Sequence, residues 1–327
     1  MDALKLKVLI ARRAPADVVE KLSAHFDVDF HDGEAPLSAD ELRARLQGKV
    51  GAYITGTERI TAELLAACPE LRAVCTMSVG YNHIDLAACT ARRVLVTNTP
   101  DVLTETTADL GFALLMATAR RMGEGERLLR DGLWKSWAWD FLAGADVHGT
   151  TLGILGMGRI GQAIARRGRF GFGMNVAYHN RSRLPADTEA ELGARYLSKD
   201  ELLRQADHLI LVLPYSAESH HCIATAELAL MKPTATLVNI ARGGLVDEDA
   251  LAAALREHRI AAAGLDVFEG EPRVNPALLS LPNIVLTPHI GSATMPTRLA
   301  MARLAADNLV AALTGAPPPT PLNPEVL

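Results

Sequence analysis

The feature that most constrains this chain is a glycine-rich turn between an apolar run and an alanine-rich run. Residues 151–161 read T-L-G-I-L-G-M-G-R-I-G, and a helix-forming segment, 162–169, follows at once. In a strand–turn–helix of this kind Gly156 permits the tight turn, Gly158 lets backbone approach a pyrophosphate, and Gly161 lets helix and strand pack closely. The helix N-terminus then offers its N–H groups and a favourable dipole to the phosphates. The pattern therefore favours a dinucleotide site over a plain tight turn.

The composition restricts the classes of partner. Hydrophobic residues make up 49% and charged residues 22% of the 327, which suits a soluble globular protein of one large or two medium domains. The net charge of −5, with both signs interspersed, gives no footprint for nucleic acid or an anionic membrane. The four cysteines form no CxxC pair, and the N-terminal apolar run is too short for a signal peptide. We therefore expect free thiols, no membrane span and a cytoplasmic location.

The order of the predicted elements indicates parallel sheets flanked by helices. Short β-rich runs alternate with helical runs over the first hundred residues, and a second alternation starts at the glycine motif. Between them one long helix, about 106–129, is predicted as a connection between two domains, and a helix over 295–313 precedes an extended proline-rich tail. The prediction is an α/β protein with two Rossmann-like or flavodoxin-like domains.

The residues at the end of the next predicted strand after the glycine turn bear on the choice between NAD(H) and NADP(H). An NAD site usually has an Asp or Glu about 20 residues beyond the glycines, where it binds the ribose hydroxyls. Here the strand ends in Y-H-N-R-S-R, without a carboxylate. Asn180, Arg181 and Arg183 instead offer donors and positive charge, which suits a 2′-phosphate. The alternative is that these arginines only form a solvated loop. The sequence favours NADP(H), with NAD(H) possible.

Three residues at predicted strand ends have complementary chemistry. Arg242 follows V-N-I-A, Glu271 follows D-V-F-E-G, and His289 ends T-P-H. Reduction of a 2-oxo acid needs an arginine for the substrate carboxylate, a histidine as proton donor and a carboxylate that holds the imidazole and favours its protonated form. Taken singly, the three residues are more simply interpreted as a surface arginine, a capping glutamate and a hydrogen-bonded histidine. The pattern cannot show that the three converge.

Two further clusters, one of tryptophans and one of histidines, do not indicate a specific function. Trp134, Trp137 and Trp139 are all the tryptophans of the chain, and they suit a core, a subunit contact or a wall of the substrate pocket. His220 and His221 have neither the spacing of a zinc site nor a Cys or acid in a recognisable pattern beside them. We interpret this pair as a surface feature, and no metal site is predicted.

The motifs together resemble those of the D-isomer-specific 2-hydroxyacid dehydrogenases. The resemblance covers almost the whole chain in order and spacing, and it is strongest to the glyoxylate/hydroxypyruvate reductase and 2-ketogluconate reductase branch. It rests on the runs S-V-G-Y-N-H-I-D, N-T-P-D-V-L-T-E-T-T-A-D-L, G-I-L-G-M-G-R-I-G, N-I-A-R-G-G-L-V-D, A-G-L-D-V-F-E-G-E-P and L-T-P-H-I-G-S-A-T.

The resemblance assigns roles to these residues. It implies Arg242 as the substrate-binding arginine, Glu271 rather than Glu269 as the partner of the histidine, and His289 as the acid/base. Backbone N–H groups around Val79 and Gly80 would hold the substrate carboxylate. Further residues implied at the cofactor are Thr107, Arg159, Ile160, Pro214, Ala241 and Asp266.

The resemblance also implies the domain organisation and the assembly. Residues 1–101 with 293–327 would form a flavodoxin-like substrate-binding domain, and residues 102–292 a Rossmann domain that binds NAD(P). The active site would lie in the interdomain cleft of each subunit of a homodimer, with the tryptophan region reaching the partner subunit.

The predicted activity is NADPH-dependent reduction of small 2-oxo acids, such as glyoxylate and hydroxypyruvate, to D-2-hydroxy acids. A 2-ketogluconate reductase would share every catalytic residue and differ in the width of its pocket. A corepressor-like protein that senses NAD(P)H is the alternative from another class, and the three intact catalytic residues argue against it.

Overall fold

The computed structural model describes residues 5–327 and divides into two compact units. One comprises Met1–Leu103 and Thr294–Leu327, and the other comprises Thr104–Ala293. The sequence-based division had its boundaries after residues 101 and 292, and the roles given to the two domains remain predictions. Among the described residues, no helix has both the length and the apolar character needed to cross a membrane.

Over residues 5–327, twelve strands, numbered in chain order, form the two sheets. They are β1 (Lys7–Ile10), β2 (Asp27–Phe30), β3 (Gly51–Ile54), β4 (Ala73–Thr76), β5 (Leu95–Thr97), β6 (Thr151–Leu155), β7 (Asn175–His179), β8 (Ala194–Tyr196), β9 (His208–Leu211), β10 (Thr236–Asn239), β11 (Ala262–Leu265) and β12 (Ile284–Leu286).

The α-helices alternate with these strands. They are α1 (Ala16–His25), α2 (Ala39–Leu46), α3 (Ala62–Ala67), α4 (Leu86–Ala91), α5 (Thr104–Ala119), α6 (Met122–Arg130), α7 (Arg159–Arg166), α8 (Ala186–Leu192), α9 (Lys199–Gln205), α10 (Thr225–Leu230), α11 (Glu248–Arg256), α12 (Pro276–Leu279) and α13 (Met295–Thr314). Two helices begin with a capping box of the pattern Ser-x-x-Glu: Ser38 opens α2 with Glu41, and Ser198 opens α9 with Glu201.

Each unit is built on one parallel sheet, which confirms the predicted α/β class. The strand order is β2-β1-β3-β4-β5 in the first unit and β12-β11-β10-β9-β6-β7-β8 in the second. The first is the flavodoxin-like order, and the second is the Rossmann order with one strand added at the edge. The four residues of β9 are all buried, as expected for a strand covered on both faces. In the second unit the order reverses between β6 and β9, so the loops after these strands flank the position where such sheets bind ligands.

The C-terminal tail is extended, as predicted, and it lies along the edge strand β5. The N–H group of Leu322 donates to the carbonyl of Val96 (2.8 Å), and Oδ1 of Asn323 accepts from the N–H group of Val96 (2.8 Å). Asn323 is buried and donates a further bond to the carbonyl of Val94. These bonds cover a sheet edge that would otherwise expose unpaired backbone groups.

The prediction of one helix over 106–129 is wrong, because α5 ends at Ala119 and α6 starts at Met122. Arg121 between them has a φ of +54°, a conformation that a helix does not contain. The carbonyl of Ala119 accepts a bond from the N–H group of Ala145 (2.8 Å), and the guanidinium of Arg121 is held by Glu124 (2.8 and 2.9 Å). A tertiary contact therefore ends α5, and the apolar spacing that continues across the break gave no sign of it.

The tryptophan cluster is exposed, so its interpretation as core is wrong. Trp134 is 55% exposed, Trp137 77% and Trp139 85% within the chain. The segment around them has almost no regular secondary structure.

Candidate functional site

The glycine turn after β6 is shaped for a close approach of backbone to a ligand. Gly156 has a φ of +105°, and a Cβ atom on it would lie 2.6 Å from the backbone nitrogen of Leu213. A Cβ atom on Gly161 would lie 2.4 Å from the carbonyl oxygen of Gly156, so the helix packs directly on the turn. Gly158 is the N-cap of α7, and a Cβ atom there would meet nothing within 4 Å. Open space thus remains at the middle glycine, in front of the helix N-terminus.

The three polar residues after β7 have different environments. Oδ1 of Asn180 accepts the backbone N–H of Met157 at 2.6 Å, which ties the end of β7 to the glycine turn. Arg183 forms a two-pronged pair with the buried carboxylate of Glu189, with N–O distances of 2.9 and 2.7 Å. Arg181 is exposed. Arg183 is exposed as well, but its guanidinium is engaged by Glu189 in a bond that could not be predicted from the sequence.

The remaining cofactor residues implied by the resemblance are distributed over several loops and helices of the second unit. Arg159 is exposed in the first turn of α7, beside the half-buried Ile160. Thr107 is buried on α5, and a Cβ atom on Gly291 would lie 3.4 Å from its Cγ2. Exposed Pro214 follows β9, and half-buried Ala241 follows β10.

Arg242 follows a turn that the buried Asn239 organises. Oδ1 of Asn239 accepts the N–H group of Ala241 (3.0 Å), and its Nδ2 donates to the carbonyl of Arg242 (2.8 Å). Burial lowers the pKa of the Arg242 guanidinium, while the nearby Glu271 carboxylate opposes the shift. Because an arginine starts from a pKa above 12, the side chain keeps its positive charge. Sequence reasoning did not single out Asn239; its signal is an amide directly after an apolar strand.

His289 and Glu271 are in direct contact. The Nδ1 atom of His289 lies 2.7 Å from Oε2 of Glu271, and the other carboxylate oxygen accepts the N–H group of Phe268 at 2.9 Å. Burial alone would raise the pKa of Glu271, but the bond to His289 and the positive charges of His289 and Arg242 hold it below its ordinary value. Glu271 is therefore ionised at neutral pH and can accept a hydrogen bond from the Nδ1–H group. The structure thus brings these two predicted side chains together, and the contact through Nδ1 leaves Nε2 as the other ring nitrogen.

Asp266 holds the turn that carries His289. Its carboxylate accepts the N–H groups of Ile290 and Gly291, both at 2.8 Å, and the hydroxyl of Thr287 at 2.7 Å. Burial raises the pKa of this carboxyl, and the bonds it accepts oppose the rise. His289 has a φ of +52°, and its N–H group donates to the carbonyl of Asp266 (2.8 Å). The resemblance implied that Asp266 lines the cofactor, and the structure shows the side chain only 1% exposed and bonded to this turn.

Val79 and Gly80 belong to the first unit, in the loop after β4. The carbonyl of Val79 accepts from Nδ2 of Asn98 (2.9 Å), and the carbonyl of Gly80 accepts from Oγ of Ser78 (2.8 Å). In a trans peptide the N–H group points away from the preceding carbonyl, so the N–H of Gly80 is directed away from Asn98. The two side chains fix the orientation of this loop's peptide groups.

Comparison with known proteins bears on the whole chain. Residues 112–291 match the family model described as "D-isomer specific 2-hydroxyacid dehydrogenase, NAD binding domain". The chain is 49% identical to a glyoxylate reductase of Thermococcus onnurineus over 329 residues, covering 99% of this chain and 98% of that protein. It is 46% identical to the glyoxylate/hydroxypyruvate reductase B of Klebsiella pneumoniae, covering 99% and 100%.

Among solved structures, the chain is similar to an NADPH-dependent glyoxylate/hydroxypyruvate reductase from Sinorhizobium meliloti, in complex with NADP and malonate. The TM-score is 0.85 at 35% identity, covering 98% of this chain and 97% of the other.

Proposed function

Because the chain belongs to the D-isomer-specific 2-hydroxyacid dehydrogenase family, and so is an oxidoreductase, we propose that it reduces small 2-oxo acids to D-2-hydroxy acids. Glyoxylate and hydroxypyruvate are the proposed first substrates, since relatives that match over almost their full length carry these names. The observation that carries the proposal is the bond between His289 and Glu271 near the half-buried Arg242, because these groups supply what the reaction needs.

The residues of the second unit fit a dinucleotide. The space at Gly158 in front of the N-terminus of α7 admits a pyrophosphate, and Gly156 and Gly161 are positions where any larger residue would collide with backbone. Arg159 in the first helical turn adds positive charge beside that space. We propose these residues, with Ile160, as the diphosphate site, and Thr107, Pro214, Ala241 and Asp266 as further parts of the cofactor site.

We propose NADPH as the preferred reductant. No Asp or Glu follows β7 in the sequence H-N-R-S-R, so the carboxylate that would repel a 2′-phosphate is missing. Exposed Arg181 supplies the positive charge, Asn180 fixes the loop to the glycine turn, and the pairing of Arg183 with Glu189 orders its far end. The S. meliloti relative was solved with NADP.

The proposed chemistry at the substrate divides among three side chains. When bound, the reduced nicotinamide supplies the hydride for the oxo carbon. Arg242 binds the substrate carboxylate and polarises the oxo group, and His289 donates the proton from Nε2 to the oxo oxygen. Glu271 accepts the hydrogen bond from Nδ1–H, which orients the ring with Nε2 towards the substrate. The backbone N–H groups around Val79 and Gly80 are the proposed additional donors to the carboxylate.

The proposal is tested by initial rates of NADPH and NADH oxidation with glyoxylate, hydroxypyruvate and 2-ketogluconate in parallel, with His289→Asn as the inactive control. We expect fast NADPH oxidation with the two small acids and a much lower rate in the variant. A clear preference for 2-ketogluconate would keep the mechanism and overturn the substrate. Tight NADPH binding without turnover of any of the three would contradict the proposal and favour an NAD(P)H-sensing protein.

A further inference from the structure

A cluster of two histidines and a glutamate lies outside the residues proposed for catalysis. The ring nitrogens of His220 and His221 and a carboxylate oxygen of Glu269 lie within 4.8 Å of one another. Over residues 5–327 this is the only group of three such side chains that comes together in this way. Glu269 could not be connected with the histidine pair from the sequence, because it lies 48 positions after His221 and on a different loop.

The two imidazoles are held in place on the backbone turn after Arg242. The rings of His220 and His221 stack with centroids 3.8 Å apart, and the N–H group of His221 donates to the carbonyl of Gly244 at 2.8 Å. The hydroxyl of Tyr215 lies 3.1 Å from Nδ1 of His220. Hydrogen bonds to a ring nitrogen of this kind orient histidines that bind metal ions. His221 also has a φ of +48°, a conformation uncommon for a residue with a side chain.

Glu269 completes the cluster from the segment that leads to Glu271. Its Oε2 atom lies 2.8 Å from Nε2 of His221, and its backbone N–H donates to Oε1 of Glu248 at 2.7 Å. The side chain of Glu269 is 46% exposed and that of His221 33%, so an ion in solution can reach both. The backbone of Glu269 is therefore held in place, and its carboxylate remains accessible.

The surroundings of the cluster attract cations. A surface cavity of about 580 Å³ adjoins it, lined in part by His221, Asp247, Glu248, Asp249, Glu269 and Arg273. Four of these six residues are acidic and Arg273 is the basic one, so the cavity wall carries a net negative charge at neutral pH.

We propose that His220, His221 and Glu269 bind a divalent transition-metal ion, Zn²⁺ in the first instance. Two imidazoles and one carboxylate form a donor set that suits zinc, with water in the fourth position of a tetrahedral site. Ligands about 2.0–2.1 Å from zinc lie roughly 3.3 Å apart. The cluster thus needs only small side-chain shifts, in which the ion replaces the hydrogen bond between His221 and Glu269. Mg²⁺ and Ca²⁺ prefer all-oxygen ligand sets and are not expected to compete.

The test measures metal binding directly on protein without an affinity tag, freed of metal by a chelator. Isothermal titration with ZnCl₂ is expected to show one ion bound per chain. Thermal unfolding with ZnCl₂ is expected to show a higher melting temperature, whereas MgCl₂ should give neither result. His221→Gln and Glu269→Gln should each weaken zinc binding by about tenfold or more, since loss of a group that only supports a ligand already costs 10–100-fold. The control is His25→Gln, an exposed histidine outside the cluster.

A second control separates this site from the proposed catalytic pair. His289→Asn should leave zinc binding unchanged, because His289 is not part of the cluster. Absence of binding to the wild type would overturn the proposal and leave the pair as a surface feature. Binding that survives both cluster substitutions, or that is lost in His289→Asn, would equally overturn it.

Discussion

The Nδ1 atom of His289 lies 2.7 Å from Oε2 of Glu271, although the two residues are 18 positions apart along the chain. The other oxygen of Glu271 accepts a backbone N–H group, and the histidine is held by the carbonyl of Asp266 at 2.8 Å. Both partners are therefore fixed by main-chain bonds, so the ring presents one nitrogen to the carboxylate and the other to a substrate.

Replacement of His289 by alanine is expected to lower kcat with glyoxylate by about 10²–10⁴-fold, because the positioned proton donor is lost. Glu271→Gln should reduce kcat less, since the amide oxygen can still accept the hydrogen bond that orients the imidazole while the carboxylate charge is lost. Steady-state rates across pH 5–9 measure both effects, with NADPH binding followed by fluorescence as a control for folding. Near-normal turnover in His289→Ala would end the acid/base assignment.

The substitution Arg242→Lys should lower the activity severely even though the positive charge is kept. A guanidinium can bind a carboxylate through two parallel hydrogen bonds, and an ammonium cannot. The expected result is a large fall in kcat/KM for glyoxylate with unchanged NADPH binding. Arg256→Lys, at an exposed position at the end of α11, is the matched control. Unchanged kcat and KM in Arg242→Lys would remove Arg242 from the site.

Arg181→Asp is expected to shift the preference from NADPH towards NADH, because a carboxylate near the ribose repels the 2′-phosphate and can accept bonds from ribose hydroxyls. The measured quantity is the ratio of kcat/KM for the two cofactors. Arg204→Asp on α9 makes the same change of charge elsewhere and should leave the ratio unchanged. An unaltered ratio in Arg181→Asp would mean that this side chain does not bind the phosphate.

Two glycines of the turn should respond to alanine in opposite ways. In Gly158→Ala the new Cβ atom meets nothing within 4 Å of the chain, so stability is retained while NADPH binding weakens. In Gly161→Ala the Cβ atom would lie 2.4 Å from the carbonyl oxygen of Gly156, which should cost about 1–3 kcal/mol of unfolding free energy. Urea denaturation and NADPH titration of both variants measure the difference. The expectation fails if Gly158→Ala unfolds more easily than Gly161→Ala.

A buried ion pair in the first unit gives a prediction on stability that is independent of function. Glu58 is 2% exposed and accepts bonds at 2.7 Å from Arg12 and from the N–H and hydroxyl groups of Thr55. Burial raises the pKa of this carboxyl, but the bonds from Thr55 and Arg12 together lower it below the ordinary value. The stabilisation is thus complete above the unfolded-state pKa of about 4.3 and is lost as pH falls through the lower folded-state pKa.

Glu58→Gln should therefore lower the unfolding free energy by about 1.5–3 kcal/mol near pH 7. The difference from wild type should shrink as the pH falls below about 4. Urea titrations at several pH values measure it. Glu34→Gln, where the side chain is 83% exposed and also pairs with an arginine, should have almost no effect. Equal effects of the two substitutions would contradict the role given to burial.

The sequence was sufficient where the signal is local. The capping boxes at Ser38 and Ser198, the apolar strand β9 and the glycine turn at Gly156 each depend on residues within a few positions of one another. Their backbone conformations follow from side-chain oxygens, periodicity and the absence of a Cβ atom, so they could be predicted before any fold was known.

The sequence failed where a distant residue decides the outcome. The break between α5 and α6 depends on Ala145 bonding to Ala119, and the engagement of Arg183 depends on Glu189 turning inward. The exposure of the three tryptophans likewise could not be predicted, because the sequence does not show which residues lie opposite the rings.

The sequence by itself determined the α/β class, the dinucleotide turn and the identity of Arg242, Glu271 and His289. The class and the turn follow from spacing and motif order along the chain. Arg242, Glu271 and His289 were singled out by the resemblance to a known family, and their catalytic roles remain predictions. Only the tertiary structure decided that the Glu271 carboxylate contacts His289, that Asp266 holds the turn beneath it and that Glu269 meets His221. Each of these contacts joins loops at the ends of different strands, and such loops approach one another only after the parallel sheet has formed.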